Sequence, residues 1–428
     1  MENDFLKGID SLFDNNKEII NKLEEEKRIL ESLFLDNRIP EELKKDILEP
    51  YSALAEVIDK RVEIYRSLKQ VKEIPNLVGL LYNEAKQKYT NSILKNLQHL
   101  SEKRGINIIC FTLSNVNIQE NLVEGLLVVG SLITHQTVSI PGCIFNIGQF
   151  FKVTNINKVK QLYQLYGVKV INSVNIFNQA VVFDVLSAVP AIKECIPQVS
   201  SLTPSIMTKY LETSDTLFLL PERGLYNRPA VKVQKYSSSK RSNCSIETGG
   251  NIQYCSEKNL YTYVKKMIGS KKYLAIQGKK TLLWNGSPLE ARVYIQKGIT
   301  GKWSVTEIIA KNEIFLKDST YKSTVDEFEK TLIDIVPDKI EDIMQSLQNY
   351  SLNICSYLDY YFIYLGSCIL DFVIDEKCKP FLLNFGGWDL KDYLFRLNGK
   401  QSWEKYLLNS VDYLVYLNES ENQDGSII

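Results

Sequence analysis

The sequence is organised around residues 365–388, LGSCILDFVIDEKCKPFLLNFGGW. Two short apolar runs, residues 368–374 and 380–383, flank a polar link, and this pattern predicts the two strands of a hairpin. Asp371 interrupts the first strand, and Asn384 follows the second. Two neighbouring strands that each offer one oxygen ligand commonly hold a divalent metal against phosphate oxygens. The same two residues are also typical of a strand edge followed by a turn, so both interpretations stay open at this point.

The composition is that of an ordinary globular protein. The chain has 428 residues, which are too many for one simple core, so we expect two or three domains. Lys+Arg and Asp+Glu both number 51, and a net charge of zero provides no basic field for nucleic acid. The longest apolar runs are shorter than a membrane span, and residues 1–4 do not resemble the start of a signal peptide. We therefore expect a cytoplasmic protein with no nucleic-acid partner and no membrane insertion.

The cysteines and histidines argue against zinc and disulfide frameworks. No two cysteines form a CxxC pair, which favours reduced thiols. Only His99 and His135 are present, so we do not expect chemistry that depends on a histidine base or a zinc triad. The cysteines are residues 110, 143, 195, 244, 255, 355, 368 and 378.

Residues 1–104 have the apolar spacing of helices. Pro40 and Pro75 separate three such segments, and the third runs from Pro75 through Leu80 to Leu97. Three helices with short connections predict an all-helical bundle. Two roles fit this pattern. One is an interaction domain through which the chain self-associates or binds a protein partner, and the other is a plain helical domain packed on the rest.

The next two regions mix strands and helices. Residues 105–202 contain β-like runs at 106–112 and 126–133 and alternate strands with short helices, which predicts an α/β domain. Residues 203–275 predict a small lobe that opens with a helix capped by Thr203. Its two hairpin strands, residues 216–220 and 230–233, are joined by the loop 221–229, and the polar stretch 237–251 is predicted to be a flexible loop.

Residues 276–417 predict a large lobe. Residues 292–297 and 303–310 alternate as strands on either side of a turn. Residues 324–364 are helical in pattern, with a break at Pro337. After the hairpin, two closing helices are predicted over 389–397 and 403–417, and residues 418–428 are predicted to be a disordered tail.

Two blocks of the large lobe resemble one known family. The residues LDFVIDEKCKPFLLN (370–384) resemble the metal-binding hairpin of the endospore coat-associated YheC/YheD-type ATP-grasp family. In residues 282–311 the resemblance is carried by Glu290, Arg292, Gln296, Trp303 and Val305. It implies an α/β (α+β) ATP-grasp-like fold over residues 203–417, with a preceding α/β domain, and a spore-associated setting. The all-helical N-terminal domain is not covered by the resemblance.

The resemblance also implies a catalytic residue and a metal site. Arg292 stands where active family members have an arginine that neutralises phosphate or acyl-phosphate charge. Asp371 matches the family's metal-binding aspartate, so Asp371 and Asn384 are the candidate metal ligands. Asn384 stands where the family has a glutamate, and Gly386 stands where it has an asparagine. A neutral amide in place of a carboxylate predicts weakened Mg²⁺ binding.

The nucleotide site that the resemblance implies is altered in a similar way. Gln277 matches a glutamine at the hinge where ATP-grasp proteins recognise adenine. Leu220 stands in place of the lysine that binds the phosphates, and Gly224 is the one glycine of a loop that is glycine-rich in the family. Arg223 and Arg228 are candidates to replace the lost charge, so the candidate cofactor-binding residues are Gln277, Arg223, Gly224 and Arg228.

These departures lead to two functional hypotheses. ATP-grasp ligases join a carboxylate to an amine or thiol through an acyl-phosphate, and this reaction needs Mg²⁺ and a phosphate cradle. The cradle lysine, the glycine loop and the Glu-x-Asn pair are all absent here. The first hypothesis is therefore a degenerate ATP-grasp protein with a structural, assembly or partner-binding role, in which ATP and Mg²⁺ binding is weakened or lost. The alternative is an active ATP- and Mg²⁺-dependent carboxylate–amine ligase with an altered site.

Overall fold

The structure, a computed structural model, divides into two compact units, residues 1–73 and 74–428. The helices predicted within residues 1–73 lie outside the part of the chain that is described. The described residues are 74–83, 87–165, 167–223, 230–236, 243–248, 251–311, 325–362, 364–387, 393–397 and 401–424.

A seven-stranded sheet forms the first part of the second unit. Strand β1 lies between β2 and β6 and is parallel to both, while β4 and β5 extend the sheet beyond β2 as an antiparallel hairpin. Helix α1 packs on one face of the sheet and helix α2 on the other. The elements are β1 Leu77–Tyr82, α1 Gln87–Arg104, β2 Asn107–Thr112, β3 Val116–Asn117, β4 Leu122–Val129, β5 Leu132–Ser139, β6 Cys143–Asn146, α2 Val153–Tyr163 and β7 Lys169–Ile171.

Two predictions for this sheet are wrong. Residues 77–82, which were predicted to begin the third helix, form the central strand β1, and the sheet therefore starts before the predicted boundary at residue 105. The run LVGLLY is buried on both faces, and a short continuous apolar run does not distinguish a buried strand from a helix. The single strand predicted over 126–133 is a hairpin that turns at Gly130 and Ser131, because Gly130 adopts a φ of +55°.

The small lobe is built on a six-stranded sheet with the order β12-β11-β10-β9-β13-β8. Thr203 caps its helix as predicted, since its hydroxyl accepts a hydrogen bond from the Ile206 N–H. The flexible loop predicted over 237–251 is wrong for Cys244–Thr248, which pair with two strands. The elements of this region are α3 Gln179–Ser187, β8 Val199–Ser201, α4 Pro204–Thr213, β9 Thr216–Pro221, β10 Val231–Lys235, β11 Cys244–Thr248, β12 Asn251–Cys255, α5 Glu257–Ile268 and β13 Tyr273–Gln277.

The large lobe contains the hairpin that organises the sequence. Its main sheet has the order β18-β17-β16-β19-β20, and β19 and β20 are the two strands predicted within residues 365–388. The predicted break at Pro337 separates α6 from α7. The elements are β14 Leu283–Trp284, β15 Ser287–Pro288, β16 Glu290–Lys297, β17 Trp303–Lys311, β18 Val325–Glu327, α6 Phe328–Ile335, α7 Ile340–Leu358, β19 Ser367–Ile374, β20 Pro380–Gly386, α8 Tyr393–Arg396 and α9 Gln401–Asp424.

Helix α9 is longer than predicted. It includes residues 418–424, which the sequence placed in a disordered tail. The reason is that extending an existing helix costs much less free energy than starting one, so polar residues can continue a helix whose earlier turns are buried. None of the described helices is long and apolar enough to cross a membrane.

The two faces of the large-lobe sheet differ in chemistry. Ala291, Val293 and Ile295 of β16 face a core that includes residues of α6 and α7. The alternate residues of β16 face the opposite side, where Tyr294 packs against Tyr406 of α9 at a ring-centroid distance of 5.4 Å. Glu290 and Arg292 lie on this second face and are buried there. Strand alternation therefore places charged side chains beneath the closing helices.

Candidate metal and nucleotide site

The strand register brings five polar side chains onto one face of the large-lobe sheet. Arg292 of β16 lies opposite Asp371 of β19, and Asp371 lies opposite Asn384 of β20. Glu290, two residues before Arg292, lies opposite Lys311 at the end of β17. Directly opposite residues of an antiparallel pair share a face. The predicted residues Arg292, Asp371 and Asn384 are therefore brought together, and Glu290 and Lys311 join them.

Two β-bulges are needed for this arrangement. Between Tyr294 and Ile295 the register of β16 with β17 shifts by one residue, which leaves Thr306 as the extra residue. A second shift, between Asp371 and Phe372, leaves Leu383 as the extra residue of β20. A shift of one residue moves every later side chain to the other face of the sheet. Without the bulges, Lys311 and Asn384 would not share the face of Asp371.

Asp371 receives four hydrogen-bond or ion-pair contacts. Arg292 Nε lies 2.8 Å from Asp371 Oδ1, and Arg292 Nη2 lies 3.0 Å from Oδ2. Asn384 donates its amide to Oδ2 at 3.0 Å, and Lys311 Nζ lies 3.2 Å from Oδ1. A carboxylate has two oxygens and about four lone-pair sites. The donors of the protein therefore match the full acceptor capacity of this buried carboxylate.

Lys311 bridges the two carboxylates of the cluster. Its ammonium lies 3.2 Å from Glu290 Oε2 and 3.2 Å from Asp371 Oδ1. Glu290 and Asp371 carry two negative charges, and Lys311 and Arg292 carry two positive charges, so the cluster is neutral as a whole. Tyr393 of α8 covers it, with its ring centre 5.2 Å from the guanidinium carbon of Arg292. The tetrad Glu290–Arg292–Lys311–Asp371 thus contains ion pairs among its own members and is buried.

The charges around Asp371 determine its ionisation. Burial alone would raise the pKa of Asp371, because it penalises the charged form. The positive charges of Arg292 and Lys311, together with the hydrogen bonds from Arg292 and Asn384, outweigh burial and hold the pKa of Asp371 well below its usual range. Asp371 is therefore ionised throughout the physiological pH range, as an ion-pair partner.

The residues of this site do not fit a bound Mg²⁺. Magnesium needs oxygen ligands in octahedral geometry at about 2.0–2.1 Å. Every acceptor position of Asp371 faces a protein N–H donor, and Asn384 directs its N–H group rather than its oxygen to Asp371. The Lys311 ammonium lies between the two carboxylates, where a divalent cation would have to bind. In the described residues, no group of three or more His, Cys, Asp or Glu side chains could hold a metal ion.

The predicted nucleotide-binding residues are not part of the tetrad. Gln277, at the end of β13 in the small lobe, donates its side-chain amide to Thr213 at 2.7 Å. Arg223 is exposed, and its backbone forms an isolated bridge with Asn178. Gly224 and Arg228 lie outside the described residues. Leu220, which the resemblance predicts to stand at the lysine position, is buried in the apolar core, so its side chain faces packing partners.

The sequence did not reveal the role of Lys311. The predicted strand ended at residue 310, and simple counting from the turn at 298–302 pairs Glu290 with Ala310 rather than with Lys311. The bulge at Thr306 corrects this register. It is held by Gln296, which accepts a hydrogen bond from the Thr306 hydroxyl at 2.9 Å, and by Lys405, which donates to the Thr306 carbonyl at 2.7 Å.

Comparison with known proteins identifies relatives of this chain. It is 23% identical over 295 residues to the endospore coat-associated protein YheD of Bacillus subtilis (strain 168). The match covers 66% of this chain and 64% of YheD, so the chain spans less than two thirds of the length of that relative.

Two ligases are among the solved structures with a similar backbone fold. The D-alanine–D-alanine ligase from Coxiella burnetii has a TM-score of 0.44 and 11% identity, with 81% of this chain and 97% of that chain covered. The VanG D-Ala:D-Ser ligase from Enterococcus faecalis has a TM-score of 0.45 and 9% identity, with 79% and 99% covered. A sequence profile described as YheC/D like ATP-grasp matches residues 167–417, more than half of the chain. The chain therefore belongs to the YheC/D-like ATP-grasp family.

Proposed function

We propose that this protein is a degenerate member of its family, with a structural or assembly role and with ATP-dependent ligase activity that is impaired or absent. One observation carries the proposal. The carboxylate of Asp371, which matches the family's metal ligand, is saturated by donors of the protein, and the Lys311 ammonium occupies the space between it and Glu290.

The chemistry of ATP-grasp ligases explains why this observation matters. Phosphoryl transfer depends on Mg²⁺, which bridges phosphate oxygens and neutralises developing charge. A Mg²⁺ ion could bind at Asp371 only after displacing Lys311 or Arg292, and either displacement would leave a charge unpaired in a buried site. Breaking a buried ion pair costs about 3–5 kcal/mol. The buried position of Leu220 supports the same proposal, because no phosphate-binding lysine stands there.

The role we propose is binding to other proteins during assembly. YheD of Bacillus subtilis is described as endospore coat-associated, and we extend a spore-associated role to this chain as part of the proposal. We place the contact with a protein partner in residues 1–73, the part of the predicted helical domain that lies outside the described residues. The support for that contact is the helical spacing of the sequence.

The test is thermal unfolding of the full chain with and without Mg²⁺ and ATP. A nucleotide at 100 times its dissociation constant would add about 2.7 kcal/mol. With an unfolding entropy of about 2.1 cal/mol/K per residue over residues 74–428, this corresponds to a rise in Tm of about 3–4 °C. We expect no rise. Mg²⁺ alone and ATP alone are the controls, because each separates ionic effects from specific binding. A rise with Mg²⁺–ATP, accompanied by ATP consumption, would favour the active carboxylate–amine ligase.

A further inference from the structure

Strand β5 is an unusual sheet edge. It pairs with β4 over eight residues without a register shift, and among the described strands it is the longest at the edge of a sheet. Its sequence, LITHQTVS, contains no Lys, Arg, Asp, Glu or Pro. The first six residues are exposed, and Leu132 has 66% of its surface accessible. Natural proteins protect edge strands with charges, prolines, bulges, short length or a covering element, because an open edge can pair with another chain.

Most of the other described edges show such protection. The exception is β12, which is exposed and has no charged residue or proline, but it has five residues against the eight of β5. Strands β7, β8 and β18 have three residues each. Strand β20 begins with a proline, and the Gln179 side chain both donates to the Phe385 carbonyl at 2.8 Å and accepts from its N–H at 3.0 Å. Gln179 therefore occupies the hydrogen-bonding positions that another strand would use. No hydrogen bond of this kind reaches the outer edge of β5 within the part of the chain that the structure describes.

The hairpin that contains β5 is also held in place. Its turn residues contact α1, since the Gly130 N–H donates to Ser101 Oγ at 2.9 Å and Gln98 donates to the Ser131 carbonyl. Val138 is buried near the end of the strand. These contacts hold β5 in place in the unbound protein. Little conformational entropy is therefore lost when a partner strand binds.

We propose that β5 pairs with β5 of a second copy of this chain, in antiparallel orientation about a two-fold axis through His135. The turn at Gly130 and Ser131 has two residues, and Val129 pairs with Leu132. In such a hairpin, alternate residues beginning at Leu132 bond to β4, so Ile133, His135 and Thr137 direct their backbone groups outward. Axes at His135 and at Gln136 each pair seven residues of β5, and we choose His135 because that register also pairs Leu132, the most exposed apolar residue of the strand.

The side chains are self-complementary in this register. Leu132 lies opposite the partner's Val138, Ile133 opposite the partner's Thr137, and Thr134 opposite the partner's Gln136. The first pair is apolar, the second joins two β-branched side chains, and the third is polar. Cross-strand pairs of similar side chains stabilise a sheet. The exposed Leu132 would extend the apolar row that already includes Val138. A single strand pair buries less than the about 1,600 Å² of a standard interface, so we expect a weak dimer.

The experiment is sedimentation velocity of the full chain, for which we expect a dissociation constant of about 10–100 µM. His135→Lys and His135→Glu each place like charges opposite each other at the axis, and each should weaken dimerisation about twofold to fivefold. An equal mixture of the two variants should restore association, because a Lys then faces a Glu. His135 is exposed, so both variants should keep the fold, and restored association in the mixture would demonstrate it.

The control is Gln253→Lys, which adds the same charge at an exposed position of β12 and should leave association unchanged. A sedimentation coefficient of the wild type that does not change with concentration would overturn the proposal. Association that is as strong in both His135 variants as in the wild type would overturn it too, and would assign self-association to a different surface, including residues 1–73. The test is independent of ATP binding, so its failure would not affect the proposed loss of ligase function.

Discussion

Lys311→Met is the substitution that tests the tetrad most directly. It removes the ammonium that lies 3.2 Å from both Glu290 and Asp371 while it keeps most of the side-chain volume. The neutral tetrad then becomes a buried site with one excess negative charge. Removing one partner of a buried ion pair costs about 3–5 kcal/mol. With about 2.1 cal/mol/K of unfolding entropy per residue over residues 74–428, the expected loss in Tm is about 4–7 °C.

The second half of this prediction concerns divalent cations. In Lys311→Met the flexible thioether chain carries no charge, so Glu290 and Asp371 lie on one sheet face with no cation between them, and carboxylate oxygens are the ligands that Mg²⁺ and Mn²⁺ prefer. We expect Mg²⁺ or Mn²⁺ to raise the Tm of Lys311→Met and to leave the wild type unchanged. A cation at 100 times its dissociation constant would return about 2.7 kcal/mol, a large part of what the substitution removes.

The assay is calorimetric unfolding of both proteins over a series of Mg²⁺ and Mn²⁺ concentrations. Lys330→Met is the matched control, because Lys330 is exposed and its ion pair with Asp326 spans 3.7 Å, so its loss should cost no more than about 1 kcal/mol. The reasoning is refuted if the wild type gains as much from Mg²⁺ as the variant does. A Lys311→Met protein as stable as the wild type, without added metal, would refute it equally.

Three further predictions concern Asp371, Leu220 and Gln296. Because the pKa of Asp371 is held below the unfolded value of about 3.9, its stabilisation is present above that pH and is lost as the pH falls further. Asp371→Asn should therefore be less stable at neutral pH and less dependent on pH below 5 in urea unfolding. Leu220→Lys should lose at least about 3 kcal/mol in the same assay, without gaining ATP affinity, because it buries a charge in the core. Gln296→Leu should cost at least about 2 kcal/mol, since Gln296 bonds Thr306, Ser410 and the Tyr406 carbonyl; a loss near zero would contradict a role for it in holding the bulge.

The parts of the fold that the sequence predicted have strong local signals. The hairpin of β19 and β20 has two apolar runs around a polar link, and the break at Pro337 follows from the missing N–H of proline. The pairing of Asp371 with Asn384 was predicted only as proximity at one end of the hairpin. Their direct contact depends on the bulge at Leu383, which a period of two does not reveal.

The errors share a physical cause, which is that tertiary packing overrides local pattern. Strand β1 is a short apolar run whose conformation is decided by β2 and β6 on either side of it. Lys311 joins the site because contacts between Thr306 and α9 stabilise an extra residue in β17. Both features depend on residues far away in the sequence, so neither periodicity nor turn spacing could predict them.

On the proposed function, the Lys311 ammonium takes the place of a metal ion, and this would let the fold persist without the reaction. Two carboxylates buried on one sheet face repel each other unless a cation lies between them. A Mg²⁺ ion supplies that charge reversibly and leaves coordination positions for phosphate oxygens. The Lys311 ammonium supplies the charge permanently, and with Arg292 and Asn384 it fills the acceptor positions of Asp371. A metal-dependent catalytic site needs a cation that can bind and leave. In this tetrad the positive charges belong to side chains of the protein itself. The contacts of the tetrad fix β16, β17 and β19 to one another, and the proposed loss of ligase activity rests on that arrangement.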